Sequence, residues 1–179
     1  MNKLTLSLIA AGGLVTAAAG VYAASHASDV ALEFPADYKT SFENYFAGDR
    51  QNGTQFISLY ANDVAIEGAQ ADGKLPYGSV LLGELYPAVT DSDGEPVESS
   101  LGHLIASDSM AAIVVMQRIE GNDERYGDEL KVGDWEFEVF SPAGENLAKD
   151  TTACRECHHP LEDSEFLWSF EHLTKKPLG

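Results

Sequence analysis

The sequence predicts an α+β fold that is mainly an antiparallel β-sheet of four or five strands with a few short helices. Several short runs of β-branched and aromatic residues are separated by segments rich in Gly, Pro, Asp and Ser. Only short stretches have helical spacing of apolar residues. A length of 179 residues suits one domain with its own hydrophobic core.

The first half of the chain supplies two predicted helices and two strands. Aromatic residues at 38, 42, 45 and 46 are spaced as on a short amphipathic helix, which would end at Gly48. Residues 56–60 are β-branched and aromatic and predict a strand. Asn62 or Asp63 can cap the helix that follows. Residues 79–86 predict a second strand, largely buried.

The second half supplies two further strands and a C-terminal helical region. Residues 110–119 predict a long buried strand. Apolar residues at 135, 137 and 139 alternate with Glu136 and Glu138, which predicts a half-buried strand. The chain ends with a cysteine-containing turn of helix, a proline, and a helix bearing the apolar residues of segment 166–173.

The N-terminus has the pattern of a secretory signal peptide. A positive start at Lys3 precedes an apolar run, and small residues allow cleavage after Ala23 or Ala27. We therefore expect a signal peptide over residues 1–23, a single domain over residues 28–179, and a periplasmic or otherwise exported protein. The alternative is a retained membrane anchor, because about 20 apolar residues can span a bilayer.

The charge restricts the partners. The formal net charge of -18 excludes nucleic acid as an expected partner, because phosphate backbones need a basic surface. An acidic surface aids solubility and can also attract a basic redox partner over long range.

The motif C-x-x-C-H at Cys154, Cys157 and His158 carries the chemistry. It is the attachment sequence of a c-type haem: each cysteine forms a thioether to one vinyl group, and the histidine binds the iron as proximal ligand. We expect one covalently attached haem c. Three alternatives use the same residues: a thioredoxin-like redox pair, a zinc site completed by His159 and His172, and a plain disulfide.

The sixth coordination position of the iron is predicted to be open. No methionine follows His158, and Met110 and Met116 lie in a predicted buried strand. His103, in a predicted loop, is the candidate for a distal histidine. An open iron binds small gaseous or nitrogenous ligands, such as nitric oxide.

The order of these segments resembles the cytochrome P-460 and cytochrome c-prime-beta family. The resemblance extends from about Tyr38 to Leu173, and its parts are residues 60–63, residues 75–84, residues 135–137, the terminal C-x-x-C-H and residues 166–169. It implies a mainly antiparallel β fold, a homodimer, and a five-coordinate haem c with His158 as proximal ligand.

Members of this family differ in a lysine that cross-links to the porphyrin and permits hydroxylamine oxidation. The family often has it just before the glutamate that is Glu84 here, where this chain has Gly83. Lys74 is the only nearby substitute and is the candidate cross-linking residue. Gly83 favours the ligand-binding type, in which aromatic residues crowd an apolar distal pocket.

The candidate pocket-wall residues are Phe56, Tyr60 and Phe137, with Leu82, Tyr86 and Met116 also available. Which of them face the haem depends on strand register, since a shift of one residue inverts the two faces. Glu84 and Arg118 are polar residues within apolar strands. We expect one of them to be a distal proton donor or to hold a haem propionate, and the alternative is a salt pair at the edge of the sheet.

Together these features predict an exported monohaem cytochrome that binds nitric oxide or similar ligands and transfers electrons. One alternative is a hydroxylamine or nitric oxide oxidoreductase with a lysine–porphyrin cross-link. The other is a plain electron-transfer cytochrome with a filled sixth site. The sequence leaves open whether the protein is an enzyme.

Overall fold

The computed structural model describes residues 31–175. The predicted signal peptide over residues 1–23, with both cleavage positions, lies outside the described residues. Within residues 31–175, no helix has the length and apolar character needed to cross a membrane.

The fold is a five-stranded antiparallel sheet with four short helices among the described residues, which confirms the predicted class. The strands are β1 (Glu43–Asp49), β2 (Gln55–Ala61), β3 (Val80–Pro87), β4 (Ala112–Arg118) and β5 (Trp135–Phe140). The helices are α1 (Tyr38–Ser41), α2 (Asp63–Asp72), α3 (Thr152–His158) and α4 (Phe170–Thr174). The strands lie in sequence order, so each pairs with the next one along the chain.

The predicted helix over residues 38–48 is wrong beyond its first turn. Only Tyr38–Ser41 is helical, and the chain then enters β1. A register shift between Asn44 and Phe46 interrupts the ladder with β2. A bulge of this kind allows neighbouring aromatic residues to share one face, which gives them a spacing that resembles a helix.

Helix α2 forms as its sequence predicts. Asn62 is the N-cap, and its side-chain oxygen accepts a hydrogen bond from the backbone N–H of Ala65 at 3.1 Å. Gly73 ends the helix in the left-handed conformation, with a φ of 63°.

The two faces of the sheet have different chemistry. Side chains of residues paired directly across an antiparallel ladder point to the same side. One row contains Ala61, Leu81, Met116 and Phe137, and we call its side the His158 face because Phe137 contacts His158 there. Another row contains Ser58, Glu84, Ile113 and Phe140, and we call its side the Glu84 face. Each face has its own hydrophobic cluster.

The alternation in β5 does not expose Glu136 to solvent. Trp135, Glu136 and Phe137 are all buried, and Glu136 has a relative exposure of 0%. The segment that includes the 3-10 helix Asn122–Arg125 supplies polar partners to Glu136. This glutamate is therefore buried on a strand that the pattern predicts to be half-exposed.

The C-terminal region is less helical than predicted. After α3 comes a 3-10 segment, His159–Ser164, and helix begins again only at Phe170. Between them, Glu165 and Phe166 have φ values of 54° and 62°. Two consecutive non-glycine residues in the left-handed region interrupt the predicted helix.

Candidate functional site

Helix α3 carries both cysteines and the histidine of the C-x-x-C-H motif. Cys154 and Cys157 are three residues apart, so their side chains share one side of the helix. Both thiols are free, with Cys154 partly buried and Cys157 exposed. The disulfide alternative is therefore not the arrangement in this structure, and the thiols remain available to another partner.

His158 is held as a neutral imidazole with one defined tautomer. Its Nδ1 lies 2.6 Å from the carbonyl oxygen of Phe166. Because a carbonyl can only accept, Nδ1 carries the proton and the lone pair is on Nε2. Burial lowers the pKa of His158, which keeps the ring uncharged. The ring of Phe137 packs edge-on against it, with the centroids 5.2 Å apart.

A half-exposed apolar patch continues the His158 face beyond Phe137. The Gly83 patch, as we call it, consists of Gly83 and its neighbours Ile57, Leu59, Val114 and Val139. Gly83 is buried and lets the neighbouring side chains close over its backbone, because a Cβ there would lie 3.0 Å from side-chain atoms of both Ile57 and Val114. The patch is thus a flat apolar surface on the side of the sheet where His158 lies.

Arg50 brings a positive charge to this side of the molecule, which the sequence pattern does not indicate. Burial raises the pKa of Cys154, and the charge of Arg50 acts against that rise. The same charge adds to the effect of burial in lowering the pKa of His158. The guanidinium is exposed and also donates to Gln55 Oε1 at 2.6 Å.

A buried ion pair anchors α3 to the sheet. Arg155, which lies between the two cysteines, is 1% exposed and its Nη2 is 3.1 Å from Glu136 Oε1. Arg155 also donates to the carbonyl oxygen of Trp135 at 2.9 Å and stacks 3.3 Å from the ring centroid of Tyr126. Although burial opposes it, hydrogen bonds from the Phe137 N–H and the Tyr126 hydroxyl lower the pKa of Glu136.

The sequence pattern does not predict the ion pair between Arg155 and Glu136. The middle residues of C-x-x-C-H are formally arbitrary, so the motif itself gives no reason to place Arg155 in the core. The signal for Glu136 was present but ambiguous, since a charged residue on a strand is usually solvated.

The structure separates the three predicted wall residues. Phe137 contacts His158, as described above. Phe56 pairs with Tyr86 and Tyr60 pairs with Leu82, which places both on the Glu84 face. Phe56 and Tyr60 therefore do not line the same space as His158, because the strand register directs them through the opposite side of the sheet.

Lys74 lies in the exposed turn after α2, where its backbone N–H donates to the Gly68 carbonyl oxygen at 3.4 Å. No contact brings it to Cys154 or His158 among the described residues.

Glu84 and Arg118 do not pair with each other. Glu84 is 2% exposed and is held by Lys39 Nζ at 2.5 Å, together with phenol groups. These groups are the hydroxyls of Tyr38, Tyr60 and Tyr86, at 2.5, 3.3 and 3.1 Å. Arg118 is on the other face and pairs with Glu165 at 2.6 Å. Each residue is therefore in a salt pair, but on a strand inside the sheet and not at its edge.

The other histidines in residues 31–175 have separate environments. The Nδ1 of His103 lies 3.2 Å from Asp49 Oδ2, and its side chain is 70% exposed. Asp49 pairs with Phe56 and so is on the Glu84 face, away from His158. His159 Nδ1 donates to the Lys131 carbonyl oxygen at 2.8 Å, and the ring of His172 packs against that of Phe46.

The donor set fits a covalently attached haem. Two free thiols on one helical turn and an adjacent neutral imidazole with an available Nε2 are what thioether attachment and iron ligation require. A zinc site would need further ligands. Within residues 31–175, no three His, Cys, Asp or Glu side chains are grouped so that they could hold a metal ion.

A model of the family Cytochrome P460 matches residues 35–169. No protein of curated function matches the chain in sequence.

Proposed function

Because this chain belongs to the cytochrome P460 family, and is thus a c-type cytochrome with a haem cofactor, we propose that it binds nitric oxide or a similar small ligand at a five-coordinate iron and transfers electrons. The observation that carries the proposal is the hydrogen bond from His158 Nδ1 to the Phe166 carbonyl oxygen, 2.6 Å long. It leaves Nε2 with the lone pair that a proximal ligand needs.

The residues that would hold the cofactor are adjacent in α3. Cys154 and Cys157 would form the two thioethers, and His158 would bind the iron. The haem, when bound, supplies an iron that takes up a small ligand and exchanges one electron. The positive charge of Arg50, exposed on this side of the molecule, suits a haem propionate.

The Gly83 patch supports a role in binding rather than oxidation. Its side chains are aliphatic, so they exclude water and offer no group for proton transfer. Gly83 stands where the resemblance places the cross-linking lysine. The alternative enzyme would therefore need Lys74, or another residue, to reach the porphyrin edge.

The remaining parts of the proposal concern location and partners. The signal-peptide pattern of residues 1–23 supports a periplasmic or otherwise exported protein. The net charge of -18 supports a basic redox partner. The family resemblance supports a homodimer.

The proposal is tested on the whole chain, expressed with its leader in a host that matures c-type cytochromes. We expect haem to stay with the polypeptide through denaturation and to be lost when Cys154 and Cys157 are both replaced by serine. The ferrous protein without added ligand should have a high-spin visible spectrum and should change on adding nitric oxide.

A matched pair of variants separates the proximal ligand from its neighbour. His158→Gly should alter the ferrous spectrum, and added imidazole should restore it, whereas His159→Gly should leave the spectrum unchanged. A low-spin ferrous spectrum without ligand would overturn the open site and direct attention to His103. A strongly red-shifted Soret band would favour the cross-linked enzyme, and Lys74→Arg would then show whether Lys74 is the residue involved.

A further inference from the structure

The segment that touches His158 has an unfavourable backbone. Glu165 and Phe166 have φ values of 54° and 62°, in the left-handed region that strains any residue other than glycine. Such a conformation persists only where the surroundings hold it. The carbonyl of Phe166, which receives the His158 proton, is thus presented by a segment that would relax if it were released.

Polar groups from three parts of the fold hold Glu165. Its carboxylate Oε2 accepts from Arg118 Nη1 at 2.6 Å and from the Leu75 backbone N–H at 3.3 Å. Its backbone carbonyl accepts from Trp135 Nε1 at 3.1 Å. Arg118 Nη1 also donates to the Leu75 carbonyl, which fixes the guanidinium itself. Trp135 is fully buried, so its donor cannot move away.

The ring of Phe166 is held as well. It packs directly on Gly133, where a Cβ would lie 2.4 Å from Phe166 Cε2. The Phe166 N–H donates to the Leu161 carbonyl oxygen at 2.8 Å. The peptide that joins Glu165 to Phe166 is therefore held by hydrogen bonds at both its carbonyl and its N–H, and the Phe166 ring is held by packing.

From these contacts we infer that Arg118, Trp135 and Glu165 are positioning residues that fix the Phe166 carbonyl against His158 and thereby set how strongly His158 donates to the iron. The inference rests on the proposed function, since it takes His158 as the proximal ligand. A ligating histidine that donates its other N–H to an oxygen is a stronger donor, and groups that orient such a ligand affect the metal nearly as much as the ligand does. None of the three touches His158 itself in this arrangement; they act through the backbone.

The test uses the holoprotein and two readouts besides ligand uptake: the iron–histidine stretching frequency of the ferrous protein and its midpoint potential. Glu165→Gln and Trp135→Phe should each lower the frequency. Each should also raise the potential, with about a tenfold change in the ratio of reduced to oxidised protein at a fixed potential, or 59 mV for one electron. Arg118→Gln should match them, and Arg118→Lys should restore part of the effect because it keeps a cation near Glu165.

The control for simple charge removal is Glu162→Gln. Glu162 is three residues earlier, exposed, and loses the same charge. If Glu162→Gln shifts both readouts as much as Glu165→Gln does, or if Glu165→Gln and Trp135→Phe leave both at the wild-type values, the inference is overturned. If Trp135→Phe does not fold, Glu165→Gln still tests the inference, because Glu165 is partly exposed and its substitution is less disruptive.

Different results would contradict the proposed function and the positioning role. If the protein lacks covalent haem, or if His158→Gly leaves the ferrous spectrum unchanged, the proposed function fails first. If His158→Gly behaves as expected but the positioning variants do not shift the iron–histidine frequency, only the inference fails.

Discussion

The substitution Glu136→Gln tests whether the buried charge beneath α3 holds that helix in place. Glu136 Oε2 accepts from Arg125 at 2.6 Å, from the Tyr126 hydroxyl at 2.8 Å and from Asn122 at 3.2 Å. Its Oε1 accepts from the Phe137 N–H at 2.9 Å and faces Arg155 at 3.1 Å. The two groups that face Oε1, the Phe137 N–H and the Arg155 guanidinium, can only donate, so an amide NH₂ in place of Oε1 has no acceptor to face.

The expected loss in the free energy of unfolding is worked out for the less destabilising of the two orientations of the glutamine amide. With the amide oxygen in place of Oε2, the NH₂ group faces two donors, Arg155 and the Phe137 N–H. Each buried donor left without an acceptor costs about 1–3 kcal/mol, which gives about 2–6 kcal/mol in total. Breaking a buried ion pair on one side costs about 3–5 kcal/mol, in agreement.

The assay is urea unfolding of the holoprotein, followed by circular dichroism. With a slope of about 2 kcal/mol per M, a loss of about 4 kcal/mol lowers the midpoint by about 2 M. The matched control is Glu138→Gln, two residues along β5, where the carboxylate is partly exposed and accepts from Asn146 at 2.9 Å. It should lower the free energy of unfolding by less than about 1 kcal/mol.

The effect of pH on stability is a second test of the stabilisation by the Glu136 carboxylate. The folded-state pKa of Glu136 lies below its ordinary value of 4.5, because hydrogen bonds to the carboxylate outweigh the opposing effect of burial. The stabilisation is therefore fully present above about pH 4.5 and is lost as the pH falls through the folded pKa. The gap between wild type and Glu136→Gln should narrow on acidification. Equal midpoints for Glu136→Gln and Glu138→Gln at pH 7, or a gap that does not change with pH, would refute the reasoning.

Three further substitutions test other parts of the structure. Asn62→Ala removes the α2 cap and should lower the free energy of unfolding by about 1–2 kcal/mol in urea unfolding; an unchanged midpoint would contradict the cap. Gly133→Ala places a Cβ 2.4 Å from the Phe166 ring at a φ of 67°, so thermal unfolding should show a loss of about 1–3 kcal/mol. A wild-type melting temperature would show that the ring is not seated there. Gly83→Phe should lower the haem-to-protein absorbance ratio by covering the apolar patch, whereas Gly83→Ala, whose close contacts are side-chain methyl groups, should not. Equal haem content in both variants would mean that the haem does not lie on the patch.

Local patterns predicted much of the sheet because they depend on neighbouring residues. The strands at 56–60 and 79–86 and the Asn62 cap follow from side-chain branching and from a short polar residue at a helix start. The aromatic residues of β1 were wrongly predicted to be helical, because a bulge between Asn44 and Phe46 gives them a spacing typical of a helix. Which aromatic residues share a face with His158 depended on register, and Phe56 and Tyr60 are directed away from it.

The sequence by itself determined the chemistry of the site, because C-x-x-C-H places two thiols and an imidazole within five consecutive residues. Only the tertiary structure decided the environment of that turn. Arg155 and Glu136, 19 residues apart in numbering, meet because α3 packs on β5. Glu165, next to the Phe166 whose carbonyl accepts from His158, is held by the side chains of Arg118 on β4 and Trp135 on β5. Such contacts depend on the tertiary packing of strands and helices, which local sequence patterns do not predict.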